Sequence, residues 1–354
     1  MTALADILIA RIADHGPLTL AEFMEAALTD PEHGYYSTRD PLGVAGDFIT
    51  APEISQMFGE LIGLSLAQAW IDQGQPGAFA LAELGPGRGT LMADVLRATA
   101  QVTGFNDAAH IHLVETSPTL RDEQASRLPA PHTIWHDDIS TLPDLPLFLV
   151  ANEFVDALPI RQFKRARTGW REVLIGGQGA ALVPEQSAEI DAPELARRLD
   201  DTKSGDIVEL CPAIPTITAQ IATRIANHGG AALIIDYGDW RSLGDTLQAI
   251  QNHAPVDPFA TAGEADITAH VDFEAIAMAA SPAKFTRLTP QGVFLERLGI
   301  TARAQKLAAK LSGAALDAHI AAHRRLTHPS EMGSLFKVMG LYPDGAPPPA
   351  GLEP

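Results

Sequence analysis

The chain has 354 residues, 46% of them hydrophobic, enough for a large core and too many for a disulfide-stapled mini-protein. A formal net charge of −19 repels phosphate backbones, so nucleic acid is not expected as a partner, whereas a basic substrate such as an arginine-bearing peptide would be drawn in. The lone cysteine, Cys211, can close no disulfide within the chain, which fits a reducing, cytoplasmic compartment. Solubility alone would also account for an acidic surface.

In chain order, "MTALADILIARIADHG" places Leu4, Ile7, Leu8 and Ile12 on one helical face with Asp6 early, a cap helix and not a signal peptide. No run reaches eighteen apolar residues, so no membrane insertion is expected. Residues 1–75 read as a helical N-terminal cap. It holds a glycine- and proline-rich loop, "DPLGVAGDFITAPEIS", and a helix ending near Gln73. Strands at 78–84, 111–115, 133–136 and 147–151 then alternate with helices, which predicts right-handed crossovers and a parallel sheet. "RQFKRARTGWREVLIG" reads as a hairpin, whose Lys164, Arg165, Arg167 and Arg171 would be solvated, and 176–191 as a flexible connection. "DIVELCP" and a helix at 213–228 feed the buried strand "AALIIDYG". Residues 239–290 lack periodicity and read as an insertion. Helices near 302–311 and 314–325 precede a last strand, "SLFKVMGL", and a frayed tail at 343–354. The expectation is an α/β fold with a core over 76–342.

The stretch "FALAELGPGRGTLMADVLRA" is a buried strand, a glycine turn and a helix start, an arrangement that presents backbone N–H groups and the helix's positive end to a ligand. The spacing is Gly85, Gly87, Gly89. A dinucleotide fingerprint would need a small residue where Thr90 stands, and Pro86 removes an amide that a pyrophosphate would use. A triphosphate loop would need Gly-Lys-Ser/Thr, which is absent. Glu83 closes the first strand. Glu115 closes the second, where an acid accepts from both ribose hydroxyls. Asp137, Asp138 and Ile139 follow the third and could line an adenine pocket. Two acids around a phosphate-poor glycine loop specify S-adenosylmethionine as cofactor.

The combination "HGYY", "GDFITAPEISQMFGE", "ELGPGRGTL", "HLVETSPTL" and "NEFVDALP" resembles the MidA-type methyltransferases, bacterial relatives of the mitochondrial complex I assembly methyltransferase. "DYGD", "GDTLQA", "DITAHVDF", "QGVFLERLGI" and "SLFKVMG" extend the resemblance over nearly the whole chain. It implies a seven-stranded, Rossmann-like class I fold that uses S-adenosylmethionine. It also implies transfer of methyl groups to arginine side chains of a protein substrate such as a complex I subunit. Carried onto this chain, the cofactor residues are Gly85, Gly87, Gly89, Glu115 and Asp137 or Asp138. Asn152 departs from the mitochondrial members, which tend to carry histidine there.

Methyl transfer is an in-line displacement, so positioning and charge placement supply most of the catalysis. "NEFVDALP" puts Glu153 and Asp156 beyond the carboxyl end of the fourth strand, where open α/β sheets bind ligands and where carboxylates could hold a guanidinium. A helix cap for Glu153 and turn chemistry for Asp156 would be the ordinary accounts. In "GDFITAPEIS", Asp47 could meet the cofactor's ammonium group, whereas Glu53 would favour the dipole of the following helix. Asp266, His270 and Asp272 read as shaping a lid, without the spacing of a metal site. Tyr35 and Tyr36 could cover the cofactor. Two rivals stay open. A small-molecule methyltransferase would favour a closed apolar pocket, and a non-catalytic assembly chaperone would not need Gly85, Gly87, Gly89 and Glu115 intact.

Overall fold

The structure, a computed structural model, describes residues 2–38, 50–129 and 132–354. The chain divides into two compact units, each drawn from separate stretches.

The larger unit comprises Ile49–Val155, Ile214–Gly238 and Phe273–Pro354. Its strands are β1 (Phe79–Leu84), β2 (Ala109–Val114), β3 (Thr133–His136), β4 (Leu147–Asn152), β5 (Gly230–Asp239), β6 (Lys284–Phe285) and β7 (Phe336–Tyr342). They form the path β6-β7-β5-β4-β1-β2-β3, with the two-residue strand Thr289–Pro290 pairing β7 off it. β1 to β5 run parallel and β7 pairs antiparallel with β5. The sequence explains the arrangement. "FALAEL" and "LFLVAN" are buried at every position, the continuous apolar signature of strands covered on both faces.

The helix Gln56–Asp72 covers one face, burying Phe58, Leu61, Ile62, Leu66 and Trp70. It lies close against the helix Thr90–Thr99. A Cβ on Gly63 would stand 2.9 Å from Val95 Cα, so only glycine permits this approach. Trp70, Phe79, Phe105 and Phe148 stack beneath, with the Phe79 ring 4.9 Å from Phe105 and 5.1 Å from Phe148.

The smaller unit comprises Met1–Phe48, Asp156–Ala213 and Asp239–Asp272. The helix Ala3–His15 is followed by Leu20–Thr29, which opens on a capping box between Thr19 and Glu22. A sheet orders Leu18–Thr19, Trp170–Gln178, Arg161–Arg165 and Ile207–Leu210, around buried Phe163, Trp170 and Val208. The hairpin expected at "RQFKRARTGWREV" is present, with Lys164 opposite Arg171.

Two local expectations are corrected. Part of 176–191 is not a flexible connection: Ala181–Gln186 pairs antiparallel with Trp170–Gln178 around a turn at Gly179, φ 61°. Its exposed strand carries too few apolar residues to announce itself. The tail at 343–354 is not frayed. Leu352 is buried in the core, the Ala350 carbonyl accepts from Ser65, and Glu353 pairs with Arg297. Within 239–272, strands of three and four residues form a small sheet, too short to show alternation in sequence. No helix among the described residues is long and apolar enough to cross a membrane.

One buried charge ties three helices of the larger unit together. Glu60, 4% exposed, accepts from Arg97 at 2.6 Å and from Arg303 at 2.7 and 2.9 Å. Burial alone would raise its carboxyl, but the two guanidiniums outweigh burial and hold it below its ordinary value of 4.5. A depressed acid contributes stability that is present above 4.5 and lost as pH falls through its folded value. Glu60→Gln is expected to lower unfolding free energy by about 2 kcal/mol at neutral pH, the scale of charged hydrogen bonds. The gap to wild type should close on acidification, as denaturant melts at pH 7 and pH 3 would show.

Candidate active site

β1 ends in Glu83 and Leu84, and the chain must then turn into the helix Thr90–Thr99 within a few residues. Gly85, Gly87 and Gly89 make the reversal in left-handed conformations, φ 60°, 51° and 76°. A side chain in that region costs about 1–2 kcal/mol per residue. Gly85 has a second constraint, since a Cβ there would stand 2.9 Å from the Phe154 ring.

Glu83 is 3% exposed and takes a hydrogen bond from the Met92 backbone at the helix start. Its Oε2 has no hydrogen-bond partner among the described residues. Burial first, and the nearby Glu115 carboxylate second, push its pKa up to about 8, so it is protonated at neutral pH. Glu115 follows β2. Its Oε1 accepts from the Ser117 backbone at 2.8 Å, and burial holds its carboxyl above the usual range against that bond and one from Gln124.

Sequence reasoning missed Gln124. It is fully buried, donates to the Gly87 carbonyl at 2.6 Å and to Glu115 at 3.4 Å, and accepts from the Trp135 indole at 2.7 Å. One amide thus fixes glycine loop, ribose-side acid and β3 together. The only signal in "TLRDEQASRL" was a polar residue on the buried side of a helix. Arg121 was also missed; its guanidinium donates to the Glu115 carbonyl at 2.8 Å and meets Asp137.

Of the two adenine-side acids, Asp137 is exposed and ion-paired with Arg121, whereas Asp138 caps the turn Ile139–Thr141 by accepting from the Ser140 N–H at 2.8 Å. Ile139, which follows them, is buried. Asp47 lies outside the described residues.

After β4, Asn152 is buried, donates through Nδ2 to Glu153 at 3.1 Å, and leaves Oδ1 without a hydrogen bond among the described residues. Glu153 is left-handed, φ 51°, a conformation rare outside glycine and asparagine. Its carboxylate accepts the Ala51 N–H at 3.0 Å, and its own N–H donates to the Ile235 carbonyl. Asp156 belongs to the smaller unit. There it groups with Tyr36 and Asp266: the Tyr36 hydroxyl donates to Asp266 at 2.7 Å, and burial with both carboxylates holds the phenol well above 10. His270 is placed by its backbone N–H on Thr246. No cluster of metal ligands occurs among the described residues.

The geometry tests the cofactor. A phosphate would find a buried acid where it needs donors. A nucleoside carrying a cationic sulfonium and ammonium finds two acids, one with a buried oxygen that lacks a partner among the described residues, and a loop with no Cβ at Gly85, Gly87 and Gly89. The residues fit S-adenosylmethionine. Glu83 would hold the ammonium, Glu115 the ribose hydroxyls, and the glycine loop would admit the chain between them.

Sheet order, acid-tipped strands and glycine loop together define a class I S-adenosylmethionine-dependent methyltransferase. The family profile "Putative S-adenosyl-L-methionine-dependent methyltransferase" matches residues 61–291. The chain is 36% identical over 96% of its length to "Protein arginine methyltransferase NDUFAF7, mitochondrial" of Xenopus laevis, covering 84% of that protein, and 35% identical over 95% to the Homo sapiens protein, covering 82%. A Burkholderia thailandensis protein solved bound to S-adenosyl-homocysteine superposes with TM-score 0.83 at 30% identity, over 97% of this chain and 93% of that one. The chain belongs to this MidA-type family of S-adenosylmethionine-dependent methyltransferases.

Gly87→Val would place a branched side chain on a left-handed residue in the loop. It should abolish S-adenosyl-homocysteine binding in calorimetry while the variant still melts cooperatively. A second test uses Glu83. In the free protein it keeps its proton up to about pH 8, whereas the unfolded chain ionises it near 4.5, so its contribution to stability is fully present below 4.5 and is lost as pH rises from there to about 8. A cation beside it favours the ionised form. Cofactor binding at pH 7 should therefore release a proton, seen as a buffer-dependent enthalpy, and Glu83→Gln should remove that dependence.

Proposed function

We propose that this methyltransferase transfers methyl groups to arginine side chains of a protein substrate, of the kind a respiratory complex I subunit presents, and acts in the cytoplasm. The observation that carries the reading is Glu153. It stands at the carboxyl end of β4, next to the glycine-loop strand, in a backbone conformation that costs about 1–3 kcal/mol and persists only where surrounding structure enforces it. The enforcing contacts are the Ala51 N–H, the Asn152 amide and the Ile235 carbonyl. A carboxylate so oriented suits a guanidinium, which is always cationic and recognises planar acids through its fork. The names of the relatives as protein arginine methyltransferases and the net charge of −19 support the same substrate class.

Bound S-adenosylmethionine supplies an electrophilic methyl group on a sulfonium. The chain's part is to orient the acceptor nitrogen toward that group and to hold the guanidinium's charge away from it. Glu153 would do both by pairing with the non-reacting nitrogens. The surplus proton would leave the nitrogen as the new N–C bond forms, for water or a neighbouring carboxylate.

Glu153→Gln keeps shape and an acceptor for the Ala51 N–H while removing the charge. Cofactor affinity should stay within a few-fold, and transfer to an arginine peptide should fall by about 10²-fold or more. If Glu153 were only a cap, turnover would persist and stability would drop by about 1 kcal/mol. Mass spectrometry of the peptide, run beside a melting curve, separates the two.

A further inference from the structure

The short helix Ala51–Ile54, from the stretch "TAPEIS", carries Glu53 in its first turn. Favouring the helix dipole would be the ordinary role of such an acid, but its carboxylate does something more specific. Glu53 Oε1 accepts from the Thr90 hydroxyl at 2.5 Å. Thr90 opens the helix that leaves the glycine loop, directly after left-handed Gly89. The same hydroxyl accepts from Arg127 Nη1 at 2.7 Å, so its single hydrogen is committed to Glu53. Arg127 in turn pairs with Glu123 at 2.8 Å, and Glu123 lies 3.6 Å from Arg88 inside the loop. The helix end of the glycine loop, on both sides of Gly89, is thus tied into one chain of charge-assisted contacts.

The other end of the same turn faces Glu153, whose carboxylate accepts the Ala51 N–H. Two residues apart, then, Ala51 and Glu53 bear on the carboxylate after β4 and on the loop after β1. This also accounts for Thr90. A dinucleotide loop would carry a small residue there, whereas this chain carries a hydroxyl that needs both of its partners.

We propose that Glu53 is a positioning residue for the cofactor loop: acting through Thr90, it holds Gly85–Gly89 in the binding conformation, and its turn keeps the loop in register with Glu153. The inference rests on the cofactor assignment and is independent of the arginine reading, since S-adenosyl-homocysteine binding requires no methyl acceptor.

The test is calorimetric titration of S-adenosyl-homocysteine into the full chain. Glu53→Ala and Thr90→Val should each weaken binding about ten-fold without lowering the melting temperature in proportion. The double variant should be no weaker than either single one, because both remove the same contact. Thr90→Ser, which keeps the hydroxyl, should bind within about two-fold of wild type. Glu153→Ala, which removes the acceptor for the Ala51 N–H, should weaken binding several-fold where Glu153→Gln does not. Wild-type affinity in Glu53→Ala, or losses in the two single variants that add in the double, overturns the proposal. Should Glu53→Ala fail to fold, wild-type affinity in Thr90→Val alone overturns it.

Discussion

A strand buried on both faces cannot end in a leisurely loop. β1 must deliver its chain into a helix that packs back on the sheet, and it has Gly85 to Gly89 in which to do so. The reversal is made with three glycines at positive φ, and the absence of Cβ atoms is what leaves backbone open at the tip of the central strand. The remaining parts of the larger unit are arranged around that opening. Phe154 closes in beneath Gly85, Gln124 ties the Gly87 carbonyl to the second strand's acid, and the helix Gln56–Asp72 presses on the helix that follows.

The parallel register converts this turn into a site. β3, β2, β1 and β4 are consecutive neighbours pointing the same way, so the residues at their carboxyl ends share one edge of the sheet. Each end bears an acid: Asp137 and Asp138, Glu115, Glu83 and Glu153. The strand order reverses between β1 and β4, where ligands of open α/β sheets bind. Burying two of these acids close together costs enough that Glu83 keeps its proton to about pH 8. Such an edge repels phosphate and favours cations, the charge of the sulfonium cofactor and of a guanidinium acceptor alike.

Around that edge the polar contacts form a second layer that holds backbone instead of ligand. Glu115 and Asp138 accept from N–H groups two residues ahead, and Glu153 from Ala51 across the fold. Carboxylates in these roles are oriented before any ligand arrives, so binding has less side-chain freedom to remove.

Much of this was legible in the chain alone. Continuous apolar strands announced a parallel sheet because both faces must be covered, and the glycine spacing with Pro86 and Thr90 excluded pyrophosphate and triphosphate because those ligands need amides and cations there. Acids at strand ends marked the cofactor. Only the tertiary structure decided the rest, because it depends on neighbours far apart in sequence. That Glu53 serves Thr90, that Gln124 joins loop to acid, and that Asp156 groups with Tyr36 and Asp266 are facts of pairing across 37 or more residues for most of these contacts, which no local period encodes. The tail at 343–354 was misread for the same reason, its order coming from Ser65 and Arg297 and not from propensity. The strand Ala181–Gln186 was missed for another: its partner Trp170–Gln178 is adjacent in sequence, but the strand is largely exposed and carries few apolar residues. Composition and period determine which residues must be buried; only the folded chain determines which polar groups they bring face to face.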